Sequence, residues 1–214
     1  MSSSVLLLST GTANTASVLA GLERAGARAS FVREPVDVER AERLVVPGVG
    51  SFASALQRLE RDELIEPLRR RLAAGRPTLA ICLGLQLLGT SSQESPGVRG
   101  LGLLDVQAQR FASGKRIPQL GWNRIASSGG PLLESGDVYF ANSYRWTELP
   151  EAARADGWQA SLCHYEQETF VAGIERGSVL ACQFHPELSG PKGRRLLTRW
   201  LALGHSSLEE SSPC

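Results

Sequence analysis

Cys82 is the residue in this sequence whose type and position best suit nucleophilic chemistry. It follows a short apolar run, residues 78–81, that has strand character, and it precedes a second apolar run, residues 83–88, that has helix character. A cysteine at such a strand-to-helix turn lies at the positive end of the helix, which favours the thiolate form. Gly84 permits a tight turn there, and Gln86 is a polar break in a run that otherwise predicts burial. The alternative interpretation is a buried structural cysteine in a core strand.

A thiol nucleophile needs a base, and His185 with Glu187 offers a candidate base and a group to orient it. His185 directly follows an apolar run, residues 179–184, and Glu187 comes two positions after His185. Residues i and i+2 of an extended chain point the same way, so we expect the carboxylate beside the imidazole. The alternative is a surface-loop histidine next to a proline. Together, Cys82 and His185 predict a constellation of the Cys–His kind.

The third requirement is an oxyanion hole, which needs backbone N–H groups aimed at the developing charge. The N–H of Leu83, at the start of the predicted helix, is one candidate. The loop at residues 47–50, Pro-Gly-Val-Gly, is expected to supply another, because its two glycines permit backbone conformations that other residues avoid. The alternative for this loop is an ordinary strand-to-helix turn.

The elements that must position these residues alternate between strands and helices. Short apolar runs predict strands buried on both faces, as in a parallel sheet, at residues 5–8, 28–33, 44–46, 78–81 and 179–184. Helical spacing of apolar residues separates several of them. This alternation predicts an α/β fold, a single domain with a mostly parallel central sheet flanked by helices. Ligands bind such sheets at the carboxyl ends of the strands, where both the 47–50 loop and Cys82 lie.

The second half of the chain has a less regular pattern. Residues 117–123 read as a turn-rich linker that contains a tryptophan, and residues 138–141 as a strand. Residues 158–163 and 169–174 predict a hairpin with a long joining loop. Ser189 is a candidate cap for a last helix.

Composition excludes several classes of function. The net charge of +1, from 23 basic and 22 acidic residues, leaves no electrostatic footprint for nucleic acid. Four cysteines without a CxxC pair and three histidines predict no metal site, and sparse cysteines suit a reducing cytoplasm. No apolar run approaches the roughly 20 residues that a membrane helix needs, and no signal peptide is predicted. We expect one domain over residues 1–204 and a flexible tail at residues 205–214.

The two candidate catalytic segments resemble those of a known family. Residues 81–88, Ile-Cys-Leu-Gly-Leu-Gln-Leu-Leu, are similar to the nucleophile elbow of class I (triad-type) glutamine amidotransferases. Residues 183–187, Gln-Phe-His-Pro-Glu, are similar to the His-x-Glu segment of the same family. Segments at residues 47–52, 118–123 and 139–144 resemble those of the glutaminase subunits of imidazole glycerol phosphate synthase. The resemblance extends from about residue 5 to about residue 203, and it implies a flavodoxin-like α/β fold.

The resemblance implies a role for each matched residue. Cys82 would attack the side-chain amide of glutamine and form a glutamyl thioester. His185 would protonate the departing ammonia and then activate water, and Glu187 would orient His185. The N–H groups of Val49 and Leu83 would form the oxyanion hole. The substrate-binding residues would be Gly48, Gly50, Gln86, Ser143 and Tyr144. No cofactor and no metal are implied.

The resemblance also implies a heterodimer. The partner would be the (β/α)₈-barrel cyclase subunit of the same synthase, which would stimulate glutamine hydrolysis and receive the ammonia. The products would be imidazole glycerol phosphate, in histidine biosynthesis, and an aminoimidazole carboxamide ribotide. Leu188 stands where the subunit family usually has a lysine of the partner interface, and Asn142 stands where histidine is common.

Three alternatives remain at this point. The chain could be the glutaminase of another amidotransferase, such as that of anthranilate or pyridoxal phosphate synthesis. A non-catalytic regulatory relative would keep the fold, but the Cys82, His185 and Glu187 set argues against it. A thiol hydrolase or peptidase on the same architecture would act without a partner, and it would leave Gln86 without a role.

Overall fold

The computed structural model describes residues 3–9, 15–48, 50–112, 116–127 and 129–203. Strands are β1 (Ser3–Leu7), β2 (Ala27–Phe31), β3 (Leu44–Val46), β4 (Thr78–Ile81), β5 (Ser91–Ser92), β6 (Gln107–Arg110), β7 (Gln119–Ala126), β8 (Gly136–Asn142), β9 (Tyr144–Arg145), β10 (Gln159–Tyr165), β11 (Glu168–Arg176) and β12 (Val179–Cys182). Helices are α1 (Thr15–Arg24), α2 (Pro35–Arg40), α3 (Phe52–Arg61), α4 (Ile65–Ala73), α5 (Leu83–Leu87), α6 (Glu151–Ala155) and α7 (Gly190–Ala202), and a 3₁₀ helix spans Pro186–Leu188.

Within the described residues, nine of the strands form one sheet in the order β2-β1-β3-β4-β12-β11-β10-β7-β8. The first five of these strands are mutually parallel, and the remaining neighbours are antiparallel. Register places Val46 opposite Ala80 and Cys182 opposite Ile81, so β3, β4 and β12 end side by side. The predicted α/β architecture is confirmed, and its parallel half carries the strand ends that the sequence analysis singled out.

Helices cover both faces of the sheet. On β3, Leu44 and Val46 face a core with α3 and α4, whereas Val45 faces a core with α1 and α7. Burying such a side chain contributes about 1.5–3 kcal/mol, so each strand is stabilised from both sides. This double burial explains why the strands read as continuous apolar runs and not as alternating ones.

Residues 119–123 belong to a strand, so the prediction of a linker over residues 117–123 is wrong for them. β7 begins at Gln119 and pairs with β8 from Gln119↔Asn142 to Ile125↔Gly136. Its burial pattern is inverted, because Leu120 and Trp122 point outwards while Gln119 is buried. An exposed apolar side next to a buried polar residue does not produce the usual strand signal.

The predicted β10–β11 hairpin exists, but its long joining loop does not. Glu166 and Gln167 alone separate the strands, with Glu166 at φ 53°. The strands extend into polar residues, pairing His164 with Thr169 and Tyr165 with Glu168. Backbone pairing thus continues past the point where the apolar pattern ends.

Within the described ranges, no helix is long and apolar enough to cross a membrane. The same ranges contain no group of three His, Cys, Asp or Glu side chains placed to hold a metal ion. Residues 205–214, predicted to form a flexible tail, lie outside the described residues.

Candidate active site

Cys82 occupies a strained turn between β4 and α5. Its φ of 55° and ψ of −107° lie where a non-glycine residue is rarely found. Such a conformation costs about 1–3 kcal/mol and persists only when the surroundings impose it. The Cys82 N–H donates to the carbonyl of Cys182 at 2.6 Å, and the Cys82 carbonyl accepts from the Leu85 N–H at 3.0 Å. These bonds hold the turn, and the buried thiol lies in a cavity wall.

Two glycines let the loop after β3 pack directly on this turn. A Cβ on Gly84 would lie 2.3 Å from the carbonyl oxygen of Val46, and one on Gly48 would lie 2.3 Å from the Gly84 nitrogen. Leu83 is the first residue of α5, where a backbone N–H has no partner within the helix. The predicted donor Leu83 therefore lies beside the loop, whereas Val49 is outside the described residues.

We expect Gly84→Ala to separate the loop from the turn, because its Cβ has no space beside Val46. The overpacking should cost about 1–3 kcal/mol of unfolding free energy and slow the alkylation of Cys82 by iodoacetamide. Gly26→Ala is the control, since a Cβ there meets nothing within 4 Å. It carries only the strain of its φ of +96°. Equal alkylation rates in the two variants would contradict the expectation.

His185 and Glu187 form a hydrogen-bonded pair at the end of β12. The Nδ1 of His185 lies 2.9 Å from the Oε1 of Glu187, and both side chains are buried. The His185 N–H donates to the Tyr139 carbonyl at 2.8 Å. The sequence predicts that Ser189 caps α7, but its side chain makes no capping hydrogen bond with that helix. Its hydroxyl instead donates to the His185 carbonyl at 2.6 Å and accepts from the Tyr139 N–H at 3.0 Å.

The surroundings of His185 favour its protonated form. Burial lowers its pKa, but hydrogen bonds and charge interactions with Cys82 and Glu187 raise it to about 10. Because Nδ1 is bonded to Glu187, Nε2 is the nitrogen available to Cys82. Cys82 and His185 can therefore exist as a thiolate beside an imidazolium, the form required for attack on an amide.

Replacing Cys82 by alanine should lower the pKa of His185 below its wild-type value of about 10. The reason is that the hydrogen bond and charge of Cys82 are both lost. Because the folded pKa is raised, His185 stabilises the fold below the ordinary histidine pKa of 6.5, and this contribution is lost as pH rises through about 10. NMR titration of the three histidines would measure the change, and an unchanged value in Cys82→Ala would contradict it.

One cavity of about 410 Å³ brings the predicted residues together. Its walls include the following residues from the sequence analysis: Cys82, His185, Glu187, Leu83, Gly48, Gly50, Gln86, Ser143 and Tyr144. The volume is within the range of small-molecule sites. Gln86 is buried, and its amide nitrogen donates to the Tyr144 carbonyl at 3.1 Å and to Gln183 at 3.1 Å.

Several residues at this site were not predicted from the sequence. Glu94 lines the cavity, and its carboxylate accepts from the Phe52 N–H at 2.7 Å. No pattern around Glu94 could have indicated this position. Gln183 contacts the Cys82 sulfur. Its place in the site could have been predicted, because it is a polar residue within an apolar run. Asn142, noted only as a departure from the family, also lines the cavity.

Comparison with known proteins agrees with the fold. The model of the "Glutamine amidotransferase class-I" family matches residues 6–202. A solved structure described as a glutamine amidotransferase superposes with a TM-score of 0.71 at 22% identity, covering 92% of this chain and 99% of the other. At that identity the superposition shows the fold alone.

Curated relatives indicate which subgroup of this family the chain is similar to. The chain is 38% identical over 193 residues to the imidazole glycerol phosphate synthase subunit HisH of Thermus thermophilus, covering 90% of this chain and 93% of that one. It is 37% identical over 211 residues to the imidazole glycerol phosphate synthase hisHF of Emericella nidulans, covering 92% of this chain but only 38% of the relative. In the corresponding Arabidopsis thaliana protein, at 41% identity, it spans 34% of the length. The chain belongs to the class I glutamine amidotransferase family, among the HisH subunits of imidazole glycerol phosphate synthase.

Proposed function

We propose that this protein hydrolyses glutamine to glutamate and ammonia as the glutaminase subunit of an imidazole glycerol phosphate synthase. The observation that carries the proposal is the cavity in which Cys82, on a strained turn, meets the hydrogen-bonded pair of His185 and Glu187. Relatives that carry the name of this synthase support its choice over another amidotransferase.

The chemistry follows from the three side chains. The Cys82 thiolate attacks the side-chain carbonyl carbon of glutamine, and the C–N bond breaks as His185 gives its proton to the leaving ammonia. The product is a glutamyl thioester. His185, now neutral, takes a proton from water, whose oxygen attacks the thioester carbon and releases glutamate and the thiolate. Glu187 holds the imidazole through Nδ1 in both steps.

Charge on the carbonyl oxygen develops twice in this sequence of steps. The Leu83 N–H, next to Cys82, would donate to that oxygen, and Val49 would supply the second donor. The N–H groups are backbone atoms, so rearrangement of the 47–50 loop would control the second donation. The loop packs against the Cys82 turn through Gly48, which links its position to the nucleophile.

Glutamine also carries an α-ammonium group that needs acceptors. Two polar residues with acceptor oxygens line the cavity, Glu94 with a carboxylate and Asn142 with an amide. The Asn142 oxygen is buried and makes no hydrogen bond with any residue in the described ranges. A buried unpaired acceptor is costly, so a ligand N–H at this position would be stabilised. Ser143 and Tyr144 lie next to Asn142 in the chain and also line the cavity.

The partner would dock beside the cavity mouth. Leu120 and Trp122, on the outward side of β7, are 67% and 55% exposed, and Leu188, which lines the cavity, is 40% exposed. Trp122 packs edge-on against Tyr139, another cavity residue, with ring centroids 6.1 Å apart. An exposed apolar surface of this kind suits a protein partner. We assign it to the (β/α)₈-barrel cyclase subunit, which would receive ammonia directly from the cavity, in the cytoplasm.

The test is ammonia release from glutamine, measured alone, with the cyclase subunit, and with the cyclase subunit and its nucleotide substrate. We expect activity to rise when the partner and its substrate are present, and to be absent in Cys82→Ala under every condition. Activity without any stimulation by the cyclase would overturn the subunit assignment. Release of ammonia by Cys82→Ala at the wild-type rate would overturn the thioester mechanism.

A further inference from the structure

Gln183 is a buried polar residue that the mechanism above does not use. Its side chain is 0% exposed, and it lies between β12 and His185. The Gln183 N–H donates to the Ala172 carbonyl at 2.8 Å, which fixes its backbone. A buried primary amide needs hydrogen-bond partners, and this one has two: the side-chain amide of Gln86 and the sulfur of Cys82.

The hydrogen bonds form a chain from Tyr144, in the cavity wall, to the nucleophile. The Nε2 of Gln86 donates to the Tyr144 carbonyl at 3.1 Å and to the Oε1 of Gln183 at 3.1 Å. The Nε2 of Gln183 then lies 3.6 Å from the Sγ of Cys82. The main chain at Tyr144 is thereby connected to the reacting sulfur through two side-chain amides.

This chain determines which end of the Gln183 amide faces the sulfur. The Tyr144 carbonyl can only accept, so Gln86 must turn its NH₂ group towards it. The second proton of that NH₂ group is the donor to the Gln183 oxygen. A flipped Gln183 would set two NH₂ groups against each other and place its own oxygen against the sulfur. The hydrogen-bonding network therefore requires the NH₂ group of Gln183 to face Cys82.

We propose that Gln183 is a further catalytic residue, which donates a hydrogen bond to the Cys82 sulfur and stabilises it as a thiolate. The inference rests on the glutamine hydrolysis proposed above. A thiolate accepts a hydrogen bond more strongly than a thiol or a thioester does, so the bond favours the two states in which the sulfur is charged. Those states are the attacking nucleophile and the leaving group that departs when water cleaves the thioester.

The role can be tested by the pH dependence of Cys82 alkylation, followed by mass spectrometry of the peptide that contains Cys82. In Gln183→Met, which keeps the length but has no donor, we expect the pH midpoint of alkylation by iodoacetamide to rise by about one unit. The kcat for glutamine should fall about tenfold with a smaller change in KM. In Gln183→Glu, which has the same shape but a carboxylate, the midpoint should rise further.

The chain contains a matched control. Gln119 is also a buried glutamine whose amide nitrogen contacts a cysteine sulfur, that of Cys163 at 4.0 Å. Gln119→Met should lower Tm without moving the alkylation midpoint of Cys82. Equal midpoints in wild type and both Gln183 variants would overturn the proposal, as would equal shifts in Gln183→Met and Gln119→Met.

The alkylation assay contains no glutamine, so it separates this inference from the proposed function. A shifted midpoint in Gln183→Met, with no glutamine hydrolysis by the wild-type complex, would support the bond to sulfur and reject the proposed function. Hydrolysis by the wild-type complex with unchanged midpoint and unchanged kcat in Gln183→Glu would reject the role of Gln183 alone.

Discussion

Glu187→Gln is expected to lower the kcat of glutamine hydrolysis by about 10³–10⁴-fold while leaving the fold intact. Glu187 accepts a hydrogen bond from the Nδ1 of His185 at 2.9 Å and contributes to the raised pKa of that imidazole. Glutamine has the same shape but no charge, so both the orientation and the protonation of the imidazole change. The comparable replacement in a Ser-His-Asp triad has an effect of about 10⁴ on kcat.

The measurement is steady-state ammonia release in the presence of the cyclase subunit, together with NMR titration of His185. The pKa of His185 should fall in Glu187→Gln, because its negative neighbour is removed. Glu60→Gln, at an exposed position of α3, serves as the control and should match the wild type. A kcat within threefold of wild type in Glu187→Gln would show that Glu187 does not orient the base.

Arg71→Met should destabilise the protein more than other arginine replacements on the same helix. Arg71 is 1% exposed, and its guanidinium donates to the carbonyls of Val38, Ala41 and Pro77 at 3.0, 2.8 and 2.6 Å. Methionine occupies the space of the apolar stem but removes the guanidinium donor from all three carbonyls, of which Pro77 keeps only the Leu44 N–H and Ala41 keeps Arg76. We expect a loss of about 3–5 kcal/mol of unfolding free energy, a large part of the stability of an ordinary domain.

Urea denaturation would measure this loss, and α4 supplies a matched control one residue away. Arg70 is exposed and pairs with Glu39, so Arg70→Met should cost at most about 1 kcal/mol. Equal losses in Arg70→Met and Arg71→Met would contradict the assigned role. The kcat of folded Arg71→Met should stay near that of wild type, because Arg71 contacts Thr78, at the end of β4 opposite Cys82.

The two halves of the sheet differ in how well their strands could be predicted. β3 and β4 coincide with the predicted runs because their side chains are apolar on both faces. β7 could not be predicted in the same way, since its buried position Gln119 is polar and its exposed position Trp122 is apolar. Antiparallel pairing with β8, the next strand along the chain, and with β10 forms this strand, and residues 119–126 alone do not specify that pairing.

The same division applies to the candidate site. By itself the sequence determined the local features: a cysteine between a strand and a helix, and a histidine followed two residues later by a glutamate. Each of these depends on short-range backbone geometry, which neighbouring residues specify. Only the tertiary structure decided that β12 lies beside β4, that Ser189 holds the His185 carbonyl, and that Gln183 turns its NH₂ group towards Cys82. These contacts join residues from different elements, and packing and the pairing of buried polar groups select them.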